Sequence, residues 1–363
     1  MRVLIVGAGI AGLALARALH QRGITAEVVE RVAEWQPIGA GLYLPANGVR
    51  ALDELGIALA GAHANPIARQ RLLEHRGRLL ADIDLDRIWD GIGGCVAVHR
   101  AELHKALRQG IEEVPVRLGT SVTHLENGRT PRVTFSDGSN ASYDLVVGAD
   151  GVHSTIRRLA MGGPPALYVG QASWRFVVND FPDRTDWTAM LGRGRTFLTV
   201  ALGGGVVYCY ADVNTTDPAG AGRQDWRESF ADFADPVPRL LDEATSQAYF
   251  APIEEVVSPT WIAGHVVLIG DAAHATSPNM AQGAAMAVED ALVLTDMLTA
   301  DQPMDQALAG YEHRRKARVA WVQEQTHRRD RTRNLAPMVR NITLRLAAER
   351  IFRSNYGPLR DVP

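Results

Sequence analysis

The opening residues constrain this chain more than any other stretch. Val3-Leu4-Ile5-Val6 is a short, continuous apolar run, as in a strand buried on both faces of a parallel sheet. It passes into Gly7-Ala8-Gly9-Ile10-Ala11-Gly12 and then into an alanine- and leucine-rich stretch ending at Gly23. A second strand-like segment, 25–29, is closed by Glu30. Strand, glycine turn, helix and strand in that order make a βαβ unit. Gly7 suits the tight turn, Gly9 lets backbone approach a pyrophosphate, and Gly12 lets helix and strand pack closely. Glu30 stands 18 residues past Gly12, where an acid holds ribose hydroxyls. The unit predicts a dinucleotide-binding α/β fold, without saying which dinucleotide.

Two later stretches repeat the device of a buried strand that ends in an acid. Val146-Val147-Gly148-Ala149-Asp150-Gly151 leads to a helix start carrying Ser154 and Arg157. Residues 261–298 hold a buried strand at 266–269, the turn Gly270-Asp271, a loop with Pro278, and a helix opening near Gly283. Parallel sheets bind ligands at the carboxyl ends of their strands. An aspartate there can take a hydroxyl, and the free N–H groups around Gly283 and Ala284 can take partial negative charge. Residues 39–56 add a glycine-rich loop, including Gly41, before another helix. Arg100 falls in the first turn of a helix, a poor place for a cation unless it has an anionic partner.

The middle of the chain changes character. Residues 66–97 read as short strands with a turn at His75-Arg76-Gly77-Arg78, a first excursion into a second domain. Residues 164–260 read as antiparallel strands with a cover helix interrupted near Pro236 and Pro238. Tyr208 and Tyr210 alternate, so they share a face, either lining a pocket or packing on a core. A further helix over 304–330 follows. Residues 312–353 carry twelve Lys or Arg against four Asp or Glu, expected as a solvated face. The net charge of -3 predicts no nucleic-acid preference. Cys95 and Cys209 offer neither a disulfide framework nor metal spacing, which fits a reduced, cytoplasmic protein. No run approaches the roughly 18 apolar residues of a membrane span.

Together these motifs resemble those of the single-component FAD-dependent aromatic hydroxylases, the group typified by p-hydroxybenzoate hydroxylase. Asp144, Asp150, Gly151, Ser154 and Arg157 match that family's D-G motif, and Gly270-Asp271 its G-D motif. Residues 39–47 are similar to a family segment that borders the flavin. Segments 168–175 and 230–241 are nearest to bacterial urate, hydroxynicotinate and salicylate hydroxylases. The resemblance spans residues 1–330. It implies a Rossmann-like FAD-binding domain over 1–65, 98–165 and 262–328, an antiparallel-sheet substrate domain over 66–97 and 166–261, and a C-terminal helical segment over 329–363.

The resemblance also assigns residues. FAD would be held by Gly7, Gly9, Ala11, Gly12, Glu30, Arg31, Gly41, Arg100, Val122, Asp150, Asp271, Gly283 and Ala284. Among these, Asp271 would meet the ribityl chain, Arg100 the pyrophosphate region and Val122 the adenine side. Tyr208, Tyr210, Pro278 and Asn279 are the candidates for facing substrate, and His274 is structural. The implied cycle starts with NADH or NADPH reducing FAD. Dioxygen then adds at flavin C4a, and the distal oxygen of that hydroperoxide passes to a small electron-rich aromatic or heteroaromatic ring. A monomer or homodimer is expected, with no metal. One departure stands out: Ala281 replaces a glycine that the family commonly places before the last helix, which reduces the loop's backbone freedom. The same fold also serves halogenases, reductases and oxidative decarboxylases. Trp174-Arg175-Phe176 does not match the tryptophan-rich halogenase segment, and no catalytic base is identifiable.

Overall fold

The apolar opening run lies at the centre of a six-stranded sheet in the computed structural model, which describes residues 1–35, 40–59, 64–181, 186–223, 225–244 and 248–363. In space the order is Ile262–Ala263, Val266–Leu268, Leu145–Gly148, Arg2–Val6, Thr25–Val29, Val116–Arg117. All neighbours are parallel except the first two. Val3, Leu4 and Ile5 are fully buried, as are residues 145–147 and 266–268. Parallel strands that carry only apolar side chains need cover on both faces. Helix Ile10–Gln21 supplies part of it and packs along helix Gly283–Thr299. The order has a consequence for ligands. The chain runs from the central strand to one neighbour, Thr25–Val29, and later fills the other side with Leu145–Gly148. That reversal of direction is where such sheets open a crevice. Gly7, Glu30, Asp150 and Asp271 all follow the carboxyl ends of adjacent strands there.

A seven-stranded sheet forms the second layer, in the order Tyr249–Glu255, Leu167–Val178, Val206–Asn214, Arg195–Gly203, Trp187–Leu191, Arg69–Glu74, Leu79–Asp84. Its pairs are antiparallel except Trp187–Leu191 with Arg69–Glu74. Side-chain alternation gives it two different faces. Phe176, Phe197 and Cys209 point into a small core under Trp226–Phe230 and helix Val237–Glu243, with Phe230 and Phe233. Val200, Tyr208 and Tyr210 point the other way, into the main core shared with the first sheet. A three-stranded ribbon, Gly41–Leu44, Cys95–His99 and Asn65–Ile67, bridges the two sheets.

Helices Met304–Thr332 and Pro337–Tyr356 close over both sheets. The expectation of a solvated cationic face over 312–353 is corrected at three of its arginines. Arg315 is fully buried, and Arg333 and Arg340 nearly so. Each has work inside. Arg315 pairs with Glu289 and Asp290 at 2.8 Å each. Arg333 forms a two-pronged ion pair with Asp212 in the seven-stranded sheet. Arg340 donates to the carbonyls of Leu191 and Gly192. Sequence charge counts cannot see this, because burial of a guanidinium depends on partners supplied from far along the chain.

Candidate active site

The glycine turn has the shape a pyrophosphate needs. Gly7 adopts φ +106°, a conformation that side chains disfavour. A Cβ at Gly12 would overlap the Gly7 carbonyl, so helix and turn touch through this glycine. Gly9 is different: nothing lies within 4 Å of the place its Cβ would occupy. Its open side coincides with the start of helix Ile10–Gln21, which has no side-chain cap. Free N–H groups beside an open glycine form an anion cradle. Ala11 packs beneath, against Gly270. The Glu30 carboxylate accepts from the N–H groups of Ala8 (2.8 Å) and Val32 (3.1 Å), so it braces the loop as well as standing at the strand end. Arg31 next to it is exposed. Backbone bonds from Glu30 to Arg117 and from Thr120 to Glu30, 2.9 Å each, bring the segment leading to buried Val122 alongside.

The two aspartates of the later motifs differ. Asp150 is turned inward. It accepts from Ser154 Oγ and from the N–H groups of Thr155 (2.7 Å) and Ile156 (3.1 Å), so it caps helix Thr155–Met161. Burial raises its pKa, against the pull of those donors. Arg157 then ties this motif to the other one, donating to Val152 O (2.7 Å) and Ala272 O (2.8 Å). Asp271, by contrast, is exposed. It opens helix Asp271–His274, and its Oδ1 lies 3.9 Å from the position a Cβ would take at exposed Gly283. Gly283 starts a 17-residue helix with no side-chain cap, and Ala284 follows, half-buried. An outward carboxylate and uncapped N–H groups thus share one corner. The corner is held from behind: Gly270 N–H donates to Asp290 at 2.8 Å, and His274 Nε2 lies 2.6 Å from the same carboxylate.

The loop between these helices faces the seven-stranded sheet. Pro278 is exposed and Asn279 half-buried. The Asn279 side-chain amide donates to Asp330 and to Ser277 Oγ (2.8 Å), and the Asn279 backbone carbonyl accepts from Arg329 (2.7 Å). Tyr356 donates to Met280 O at 3.1 Å. Ala281, which stands where the related pattern has glycine, takes φ +51°. It adopts the left-handed conformation with its Cβ in place, at a cost of roughly 1–2 kcal/mol.

Across from the loop, Gly41 packs directly on the Tyr208 ring, and a Cβ there would overlap it. Tyr208 and Tyr210 are both buried. Burial raises the pKa of each hydroxyl well into the protonated range. Arg175 stands opposite Tyr210 in the sheet, its guanidinium 5.6 Å from that ring's centre. The Tyr210 hydroxyl and Arg175 Nε are buried without a hydrogen-bond partner among the described residues. Arg100, exposed at the start of helix Arg100–Arg108, is near enough to Tyr208 to act on its hydroxyl electrostatically. The sequence reading did not single out Arg175 or Asp330. For Arg175 a signal existed: it alternates with Ser173 and Gln171 on the face that Tyr208 and Tyr210 share. For Asp330 there was none, since its partners come from two distant segments, a strand at Gln171 and the loop at Ser277 and Asn279.

A glycine cradle at a sheet's switch point, with a second sheet that carries unmet polar groups, defines a dinucleotide-binding protein of the Rossmann type. The chain belongs to the FAD binding domain family, which matches residues 1–326. It is 36% identical over 341 residues to the 2-heptyl-3-hydroxy-4(1H)-quinolone synthase of Pseudomonas aeruginosa, covering 90% of this chain and 88% of that one. It is 35% identical over 346 residues to the 3-amino-4-hydroxybenzoate 2-monooxygenase of Streptomyces cremeus, covering 91% and 86%. The crystal structure of Klebsiella pneumoniae HpxO complexed with FAD and uric acid superposes with a TM-score of 0.89 at 29% identity, over 99% of this chain and 97% of that one. This protein is an FAD-dependent monooxygenase with a p-hydroxybenzoate hydroxylase-like fold. Among the described residues, no helix is long and apolar enough to cross a membrane.

Proposed function

We propose that the enzyme uses NADH or NADPH and dioxygen to hydroxylate a small, electron-rich aromatic or heteroaromatic ring that carries a hydroxyl or keto oxygen. The observation that carries this reading is the pair of unpartnered polar atoms, Tyr210 Oη and Arg175 Nε, buried on the sheet face opposite the cofactor loop. Buried polar groups in native proteins find partners. A neutral phenol and a guanidinium together suit a ring oxygen with partial or full negative charge. The relatives' names carry rings of this kind: one makes a hydroxyquinolone, one is an aminohydroxybenzoate monooxygenase, and one was crystallised with uric acid.

The residues divide the labour as follows. Bound FAD supplies the redox and oxygen-transfer chemistry. Gly7, Gly9 and Gly12 admit its pyrophosphate, Glu30 fixes the ribose end with Arg31 and the Val122 segment beside it, and Asp271 takes a ribityl hydroxyl. The N–H groups at Gly283 and Ala284 stabilise negative charge that develops on the ring system; one such donor is worth ~3 kcal/mol. Arg100 offsets the cofactor's phosphate charge. Leu198, Val200 and Tyr208 on the sheet, with Gly41 and Pro278 opposite, exclude water from the space between. Tyr210 donates a hydrogen bond to the substrate oxygen and Arg175 holds its charge. Residues 1–65, 98–165 and 262–328 then serve the cofactor, and 66–97 with 166–261 the substrate. The free, buried thiols of Cys95 and Cys209 support a reducing, cytoplasmic setting.

Anaerobic reduction of the FAD holoenzyme tests this. NADH or NADPH is added alone and with 4-quinolones, urate or aminohydroxybenzoate, and the visible flavin band is followed. Reduction that accelerates with one ring class identifies the substrate type. Reduction that is equally fast without any ring, with no hydroxylated product in air, overturns the proposal.

A further inference from the structure

The helix Pro337–Tyr356 is built inside out along its first half. Its inward positions include Arg340 and Asn341, both buried. The Arg340 guanidinium donates to the carbonyls of Leu191 (3.0 Å) and Gly192, and to Asn341 Oδ1 (3.2 Å). Its outward positions are apolar: Met338 is 73% exposed, Val339 51%, Ile342 49% and Leu346 82%, with Leu335 just before them at 42%. Met338, Ile342 and Leu346 recur at every fourth position, so they form one ridge along the helix. Lone exposed apolar residues are ordinary, but a contiguous ridge over a polar inner face marks a surface made to be covered.

The surroundings are cationic. Arg345 and Arg350 flank the ridge on the same helix and are exposed. Arg193 is exposed beside Gly192, and Arg76 next to His75, whose N–H reaches Leu191 O at 3.2 Å. Both therefore sit near the helix start. On the helix itself Glu349 is also exposed, but Arg353 neutralises it at 2.9 Å, so Arg345 and Arg350 leave the face net positive. A second copy of the chain is a poor fit to this surface. Two such faces would bring arginines together, and the five apolar side chains expose on the order of 500 Å², below the roughly 800 Å² per partner that a stable dimer buries.

We propose that this face docks on an anionic membrane surface. Leu335, Met338, Ile342 and Leu346 enter the boundary between headgroups and acyl chains, as on interfacial amphipathic helices. Arg345 and Arg350 reach back to the lipid phosphates, their stems lying along the apolar layer. Attachment is peripheral and reversible.

The test is co-sedimentation of the FAD holoenzyme with phosphatidylcholine vesicles, with and without phosphatidylglycerol, at low and high salt. Binding is expected only with phosphatidylglycerol, weakening as salt rises. Arg345→Ala with Arg350→Ala should weaken it by about fivefold per arginine. Ile342→Glu with Leu346→Glu should abolish it. These side chains are exposed, so both variants should keep wild-type FAD content, thermal midpoint and NAD(P)H oxidation in vesicle-free buffer. Equal binding to neutral vesicles, or none to either kind, overturns the proposal. So does an ultracentrifuge result in which the wild type is a dimer and the glutamate variant a monomer, which would assign the ridge to a second copy.

Discussion

Asp271 illustrates what a single residue contributes. Its carboxylate is exposed at a strand end, and the backbone behind it is fixed by Asp290. That arrangement spends protein structure on presenting a charge outward. Asp271→Ala should weaken FAD by about 1.5–3 kcal/mol, roughly ten- to a hundredfold, the value of a hydrogen bond to a charged group. Flavin fluorescence titration reads the loss, and circular dichroism should show an unchanged fold. Residues of this kind were legible in the sequence, because a backbone pattern puts them in place: Gly7, Gly9, Gly12 and Asp271 each follow a recognisable strand. Asp150 follows one too, yet its carboxylate caps a helix, and only the geometry of the next turn reveals that. Gly41 lacks a side chain because the Tyr208 ring occupies the space, a contact between residues 167 positions apart. Arg175 acquires meaning only once its Nε is found buried without a partner. Arg175→Met should raise KM for the ring substrate by tenfold or more, by the same hydrogen-bond value, with a smaller effect on kcat. An unchanged KM would remove Arg175 from the substrate site.

Between helices, the informative feature is charge inside apolar surroundings. Glu289 and Asp290 sit in the middle of the largely apolar helix Gly283–Thr299, and both are fully buried. Arg315, fully buried on Met304–Thr332, pairs with both, and Arg318 reaches Glu289 at 2.7 Å. For Glu289, burial pushes the pKa up, but Arg315, Arg318 and Asn47 outweigh it and hold the group below its ordinary value. For Asp290, burial is likewise outweighed by His274, Arg315 and the Gly270 N–H. Depressed carboxylates stabilise the fold above their unfolded pKa, near 4. That stability is lost as pH falls from there through the lower folded values. Arg315→Met removes the compensating charge. It should cost about 3–5 kcal/mol, because two buried carboxylates lose their partner. With burial then the stronger influence, acid unfolding of the variant should begin at higher pH than in the wild type. Urea midpoints measured from neutral pH down to about pH 2 check both parts. The sequence showed these helices plainly through their apolar spacing. It could not show that their acids and arginines meet, since the pairing joins residues in different helices behind the Asp271 corner.

At the scale of the whole molecule, two sheets were foreseeable from the change in strand pattern, whereas the stitching between them was not. Much of it runs through the last turns of helix Met304–Thr332. Asp330 accepts from Gln171 on the seven-stranded sheet (3.0 Å) and from Ser277 (3.3 Å) and Asn279 on the loop. Three residues on, Arg333 grips Asp212 on the same sheet. One helix end therefore ties the seven-stranded sheet to the loop at Ser277 and Asn279. Burial raises the pKa of Asp330, and the donors from Gln171, Asn279 and Ser277 oppose that rise. Asp330→Ala leaves three donors without their acceptor, at about 1–3 kcal/mol for a buried group so stranded. Its main effect should be functional. Loosening one layer against the other admits water, and enclosed sites exist partly to prevent such side reactions. FAD content should stay at the wild-type level, since the cradle at Gly7–Gly12 and the Asp271 corner lie on the other sheet. The yield of hydroxylated product per NAD(P)H oxidised should fall severalfold, with hydrogen peroxide making up the balance. Asp330→Asn, which retains one oxygen acceptor, should fall between the two. If Asp330→Ala keeps full coupling while losing stability, the helix end is a structural clamp and the layers are held in register by other contacts.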